Sequence, residues 1–231
     1  MHAKPSVLVL HGWNGSSQTW QTFVNQEKNF NWIIPDLPGF GKTPEPPTAW
    51  TVQDYTNWVK EYIANLPQKP EYILTHSFGG RIASQLLSQP NSTFKKAILV
   101  AAAGIKSPPT LKQKIAGLLA KLKNLLPNSI QKPLQKAFYQ ILRIHDFPQT
   151  AVMQKTFKNV VQEDQLPNFQ QIQIPIHLVW GENDTYTPLW QGKLLKQQIP
   201  NAKLTVMPNV RHGIHRQAPK ELATICQEFF K

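Results

Sequence analysis

The chain has 231 residues, a formal net charge of +12 and a single cysteine. This length is sufficient for one domain with a full core and leaves room for an insertion. No segment approaches the ~18 consecutive apolar residues of a membrane span, and the lone Cys226 excludes an internal disulfide. The first residues enter an apolar run without a charged-then-apolar leader, so we expect a cytoplasmic protein.

Six short apolar runs predict β-strands along the chain. They are Ser6–Leu10, Trp32–Ile34, Tyr72–Leu74, Ala97–Ala101, Ile176–Gly181 and Lys203–Met207. Helical patterns separate them, including a helix that a Thr51/Asp54 capping box begins and others at about Pro188–Ile199 and Pro219–Phe230. Strands that alternate with helices indicate an α/β protein whose parallel sheet is covered on both faces.

The strand pattern stops between the fourth and fifth strands, over residues 105–168. Leucine and isoleucine at helical spacing predict one helix over Leu111–Leu126, a second over Ile130–Leu142 and a third over Ala151–Val161. We therefore predict a helical lid at 105–168, inserted into a core made of residues 1–104 and 169–231.

The predicted lid is strongly basic. It holds ten Lys or Arg side chains against three acidic ones, a net charge of +7. A localised excess of this kind favours an acidic partner, although a solvated lysine face is the commoner explanation. The apolar stripe of Leu111–Leu126 would also suit a membrane surface, but packing on the core is the favoured interpretation. We expect neither a membrane nor a nucleic acid as partner.

A small-x-Ser-x-Gly turn, Thr75–Gly79, lies between the third strand and the helix that follows it. A serine hydroxyl is a weak nucleophile and needs a base beside it and N–H donors nearby. A sharp strand-to-helix turn provides this arrangement, provided that small residues occupy the positions two before and two after the serine. Gly79 meets this requirement and Thr75 strains it. The pattern is also compatible with an ordinary turn, so it depends on the rest of the chain.

Five motifs in order give the chain a resemblance to the α/β-hydrolase superfamily, everywhere except the insertion. His11-Gly12-Trp13 resembles its oxyanion loop, and Asp36–Gly41 its D-x-P-G-x-G turn. Thr75–Gly79 resembles the nucleophile elbow, Trp180–Asp184 the turn that carries the acid, and the segment from Arg211-His212-Gly213 through Pro219 the histidine segment. The order Ser…Asp…His is the order of this fold.

The resemblance implies a catalytic triad and an oxyanion hole. Ser77 would be the nucleophile, His212 the general base and Asp184 the carboxylate that orients it. The backbone N–H groups of Trp13 and Phe78 would bind the oxyanion. No metal or cofactor is implied. Two other residues are less favoured: Glu182 as the acid and His215 as the base.

The resemblance also implies six parallel strands in the order 2-1-3-4-5-6 and a function in acyl transfer, because position 77 is serine rather than aspartate. The chain is most similar to small carboxylesterases that act on small to medium acyl esters, including the type that acts on esters held by an acidic carrier protein. Two alternatives stay open: a carbon–carbon bond hydrolase of the same fold, and a binding protein with a silent triad, for which Thr75 leaves room.

Overall fold

A six-stranded parallel sheet forms the centre of the molecule. The computed structural model describes residues 4–106, 148 and 150–231. The strands are β1 Ser6–Leu10, β2 Asn31–Ile33, β3 Tyr72–His76, β4 Lys96–Val100, β5 Ile176–Gly181 and β6 Ala202–Met207. Their order across the sheet is β2-β1-β3-β4-β5-β6. The predicted fold class and strand order are therefore confirmed.

Helices within the described ranges cover both faces of this sheet. A 3-10 turn at Ser17–Trp20 precedes α1. The helices are α1 Gln21–Gln26, α2 Val52–Ala64, α3 Phe78–Leu87, α4 Ala151–Gln162, α5 Leu166–Gln170, α6 Leu189–Gln198, α7 Ile214–Gln217 and α8 Pro219–Phe230. None of these helices has the length and apolarity that a membrane crossing requires.

Alternation along the strands divides the core into two layers, one on each face. Leu8 and Ile73 belong to the layer beneath α2, α3 and α6, whereas Val9 and Leu74 belong to the layer beneath α1 and α8. Both layers are closed to solvent because every strand residue of β1 and β3 is buried. Cys226, the free cysteine, packs on the inner side of α8 as part of the second layer.

Most predicted element boundaries agree with the structure to within one or two residues. The Thr51/Asp54 capping box is formed, with Thr51 Oγ1 accepting from the Asp54 N–H at 3.3 Å. Two differences bear on the site: β3 continues through His76 and α3 begins at Phe78, so both elements enter the predicted Thr75–Gly79 turn. The turn is thus a single residue, because the sheet extends to the residue before the serine. The short helices α5 and α7 were not predicted.

The predicted lid falls largely outside the described residues. The helices predicted over Leu111–Leu126 and Ile130–Leu142 lie there, with the lysines assigned to them. The third, α4, is present and begins at an N-cap in which Thr150 Oγ1 accepts from the Met153 N–H. The chain returns from this region through contacts with the core, since the Gln165 N–H donates to the carbonyl of Gly104 at 2.8 Å.

Thr75 provides a test of sheet stability. It lies in β3 between Leu10 and Leu99 and is fully buried, and its hydroxyl has no hydrogen-bond partner among the described residues. An unpaired buried hydroxyl is costly, so we expect Thr75→Val to raise the free energy of unfolding by about 1 kcal/mol. Urea unfolding followed by circular dichroism measures the change.

Thr205→Val is the matched control. The Thr205 hydroxyl lies 2.8 Å from His177 Nε2, so its removal breaks a formed bond and should lower the free energy of unfolding by about 1 kcal/mol. Equal destabilisation by both substitutions would contradict the assignment of Thr75 as an unpaired group.

Candidate active site

Ser77 occupies the tight turn between β3 and α3. Its backbone has φ 50° and ψ −109°, a region that a residue with a side chain rarely adopts. Three backbone hydrogen bonds hold it there: the Ser77 N–H donates to Val100, and the Ser77 carbonyl accepts from Gly80 and Ala103. This conformation costs on the order of 1–3 kcal/mol and persists only because its surroundings enforce it.

The glycine after the serine is required by close packing. A Cβ atom at Gly79 would overlap the carbonyl oxygen of Leu10 at the end of β1. The strain expected at Thr75 is located elsewhere, because Thr75 is a regular strand residue and the positive φ belongs to Ser77. A threonine is accommodated because the position lies within the extended strand, before the chain bends.

Asp184 and His212 are in direct contact. His212 Nδ1 lies 2.8 Å from Asp184 Oδ2, and the carboxylate is buried. Asp184 Oδ1 accepts from the N–H groups of Tyr186 and Thr187, at 2.8 and 3.0 Å, and Thr187 Oγ1 lies 2.9 Å from Oδ2. The carboxylate therefore accepts hydrogen bonds from fixed directions. Because Nδ1 of His212 is bound to it, Nε2 is the ring nitrogen that remains open to a substrate.

Glu182, the rival carboxylate, lies on the exposed side of the same turn. Its Oε2 accepts from the N–H of Asn209 at 3.2 Å, and it makes no contact with His212 among the described residues. The structure therefore favours Asp184 as the partner of His212.

His76 fixes the backbone that carries His212. His76 Nε2 lies 2.9 Å from the carbonyl oxygen of His212, to which it must donate, and the two rings are 4.7 Å apart. Ser77 and His212 line one cleft, but the described residues contain no hydrogen bond from the Ser77 hydroxyl to the imidazole. Such bonds are often long before a substrate is bound and tighten in the complex.

The remaining histidines near Ser77 are buried and packed. His215 stacks on Trp20 at 4.5 Å, and burial lowers its pKa to about 3, with a further contribution from the positive charge of Arg216. Burial also lowers the pKa of His76 well below the usual range. These imidazoles are neutral near pH 7, so neither is an imidazolium that could transfer a proton to a leaving group. Within the described ranges, no group of three or more His, Cys, Asp or Glu side chains is placed to hold a metal ion.

Trp13 and Phe78 converge on the serine from two elements. Their rings are 5.3 Å apart, and a Cβ atom at Gly12 would lie 3.3 Å from Ser77 Cβ, so the loop after β1 passes directly beside the nucleophile position. Phe78 is the first residue of α3, where N–H groups have no partner within the helix. Neither N–H makes a hydrogen bond among the described residues, so both are available to a substrate oxygen.

The loop after β1 is held by His11. His11 Nδ1 lies 2.8 Å from the carbonyl oxygen of Gly12, and Nε2 accepts a hydrogen bond of 2.9 Å from the Leu37 N–H. These two partners fix the tautomer, with the proton on Nδ1. Asp36, next to Leu37, accepts from the N–H groups of Ser17 and Lys42. The D-x-P-G-x-G turn thus supports the loop that carries Trp13.

A cleft of about 1000 Å³ opens above Ser77. Its lining has two parts that differ in chemistry. One is apolar and consists of Trp13, Phe78 and the α4 residues Phe157, Val160 and Val161. The other comes from the segment after β6 and includes His212 and the two arginines Arg211 and Arg216.

Several residues of the site had no recognisable signal in the sequence. Thr187, beneath Asp184, could have been suspected only from its spacing after the acid. Tyr186 is 58% exposed and stacks on His212 with ring centroids 5.1 Å apart. Arg211 and Arg216 flank His212 and were read only as part of the motif. Arg81 is buried in α3, and its Nη1 donates to the carbonyl of Glu163 at 2.7 Å.

The fold agrees with a comparison against known families. Residues 5–219 match the family with the alpha/beta hydrolase fold. The chain belongs to that family, and it is a hydrolase of this class.

Individual relatives are distant and similar over nearly the whole chain. An uncharacterized protein of Mycobacterium tuberculosis is 24% identical, with 97% of this chain and 75% of the relative covered. Monoacylglycerol lipase ABHD6 of Mus musculus is 22% identical over 98% of this chain and 75% of its own length. The solved structure of an esterase from Exiguobacterium antarcticum is 20% identical, covers 99% of this chain and 92% of its own, and superposes with a TM-score of 0.75.

The roles of His212 and His215, two of the three described histidines that line the cleft, can be separated by matched substitutions. Because Nδ1 of His212 is bound to Asp184 and Nε2 faces the cleft, we expect His212→Phe to lower hydrolytic activity by at least about 10⁴-fold. His215→Phe retains a ring that can stack on Trp20 and removes an Nδ1 atom that has no hydrogen-bond partner in the described part of the chain. We expect it to keep most of the activity, measured at a temperature where both variants are folded. Comparable losses in the two variants would contradict the assignment of the base.

Proposed function

We propose that the protein hydrolyses carboxylic esters through an acyl-enzyme formed on Ser77. The observation that carries the proposal is the Nδ1–Oδ2 contact of 2.8 Å between His212 and Asp184, in a cleft that also contains the strained serine turn. A carboxylate in this position keeps the proton on Nδ1 and stabilises the imidazolium that forms when Nε2 takes a second proton. The similarity to a monoacylglycerol lipase and to an esterase supports the same class of reaction.

Acylation begins when the Ser77 oxygen attacks the ester carbonyl and its proton passes to Nε2 of His212. The negative charge moves to the former carbonyl oxygen, where the N–H groups of Trp13 and Phe78 receive it. Donors of this type contribute on the order of 10²–10³ in rate each, because they are oriented before the charge develops. The tetrahedral intermediate then expels the alcohol, to which His212 returns the proton.

Deacylation repeats these steps with water. The water oxygen attacks the acyl-enzyme carbonyl while His212 takes a proton from the water. The bond to Ser77 Oγ then breaks, and His212 returns that proton to Ser77. Asp184 stays ionised throughout, since it is held by two backbone N–H groups and the side chain of Thr187.

The apolar side of the cleft suits the acyl group. The ring of Trp13 contacts the rings of Phe78 and Phe157, with centroids 5.3 Å and 5.1 Å away. Each buried methylene of an acyl chain contributes about 0.8 kcal/mol when it leaves water. We therefore expect chains of medium length to be preferred over acetate.

A series of 4-nitrophenyl esters from acetate to palmitate tests this proposal. We expect hydrolysis with an optimum in kcat/KM at medium chain length, and a loss of at least about 10⁴-fold in Ser77→Ala. Ser88→Ala is the control, because Ser88 caps the far end of the same helix, outside the cleft. Absence of turnover across the whole series would contradict the proposal, and cleavage of a vinylogous diketone in its place would favour a carbon–carbon bond hydrolase.

A further inference from the structure

The segment after β6 places two cationic side chains beside His212. Arg211 precedes His212, and Arg216 lies in α7, four residues after it. Both side chains are exposed and both line the cleft. The segment is closed on itself, because the N–H of Arg211 donates to Gln217 Oε1 at 3.0 Å. The two charges are thus carried by one fixed loop.

Arg216 folds back over the cleft wall. A Cβ atom at Gly213 would lie 3.3 Å from Arg216 Nη2 and 3.5 Å from its Nε, so the guanidinium lies against the backbone next to His212. Its charge also acts on the buried His76 and His215, whose pKa values it helps to lower. The guanidinium, although exposed, is therefore close to the reacting groups.

Neither arginine is neutralised by a described carboxylate. In residues 4–106, 148 and 150–231, Lys95 is the Lys or Arg within ion-pair distance of an acid, Glu71, and no Asp or Glu of these ranges lines the cleft. Arg81, the third cleft arginine, differs because its Nη1 is bound to the Glu163 carbonyl and the charges of Glu163 and Asp164 are nearby. The unpaired positive charge is thus concentrated at Arg211 and Arg216.

The position of Arg211 and Arg216 indicates which part of an ester they would contact. In the mechanism proposed above, His212 returns its proton to the departing alcohol, so side chains that flank His212 lie on the leaving-group side. The acyl group is expected on the opposite, apolar side with Trp13 and Phe157. A guanidinium binds phosphate and carboxylate oxygens through paired N–H groups, and two of them suit a doubly charged phosphate.

We propose that Arg211 and Arg216 form an anion-binding subsite for the alcohol part of the substrate, so that the enzyme prefers esters whose alcohol carries a phosphate or a carboxylate. This inference rests on the proposed ester hydrolysis and adds the chemical class of its substrate. The substrate would be an amphiphile, with an apolar acyl chain on the Trp13 side and a negative charge on the His212 side.

Two substrates with the same acyl chain test the subsite: 1-octanoylglycerol and 1-octanoylglycerol 3-phosphate. Both are used as monomers below their critical micelle concentrations, so attraction to a charged lipid surface cannot contribute. We expect kcat/KM to be at least about tenfold higher for the phosphate, mainly through KM, because charge-assisted bonds form in the ground state as well as the transition state. In Arg211→Gln/Arg216→Gln this ratio should fall about tenfold.

Lys220→Gln is the control for general electrostatics. Lys220 is an exposed cation at the start of α8, outside the cleft, and its removal lowers the net charge without touching the subsite. We expect it to leave both rates and their ratio unchanged. Thermal unfolding shows whether the arginine variant, changed at two exposed positions, is folded.

A second substrate pair tests the side of the cleft. 4-Nitrophenyl hemisuccinate carries a carboxylate on its acyl group, and 4-nitrophenyl butyrate is the neutral equivalent. We expect the ratio of their kcat/KM values to be the same in the wild-type protein and in the double arginine variant. Equal rates for the neutral and phosphorylated glycerol esters, or an advantage that survives in the double variant, would overturn the subsite while Ser77-dependent hydrolysis of the neutral ester still supports the proposed function. Failure to cleave either ester would overturn both.

Discussion

The backbone of Ser77, held at φ 50°, is the constraint on which the rest of the site depends. Three strands supply it: β3 ends at the preceding residue, the end of β4 receives the Ser77 N–H, and the end of β1 packs so closely that only glycine fits at position 79. The parallel order places β1 and β4 on either side of β3. Contacts with the sheet therefore offset the strain energy of the turn. The serine lies at the edge of the sheet where the strands have their carboxyl ends.

The same edge organises the groups around the serine. Asp184 follows β5 and His212 follows β6, and Thr187 joins them to the sheet through the Ala101 carbonyl at 3.1 Å. His76, the last residue of β3, binds the backbone carbonyl of His212. Two hydrogen bonds thus fix the position of the imidazole: Asp184 binds the ring of His212, and the neutral His76 binds its backbone carbonyl. This is the preorganisation that acyl transfer requires.

Much of this arrangement could be predicted from the sequence because it depends on local patterns. Buried parallel strands are continuous apolar runs, and Ile176–Gly181 and Ser6–Leu10 were located to the residue. The contact of Asp184 with His212 is present as the motif order implied. The location of the strain was wrong, since a sequence pattern cannot show that β3 continues through Thr75 and His76. The common location of Arg211 and Arg216 in the cleft could not be predicted, because it depends on the loop that the Arg211–Gln217 hydrogen bond closes.

The central claim is that Ser77 is activated by His212, and covalent labelling tests it most directly. A fluorophosphonate reacts with an activated serine as the serine oxygen bonds to phosphorus and fluoride leaves. Intact-protein mass spectrometry followed by peptide mapping should show one equivalent of the probe, attached to Ser77, with labelling slowed at least about 10³-fold in His212→Phe. Labelling at another residue, or an unchanged rate in His212→Phe, would contradict the account.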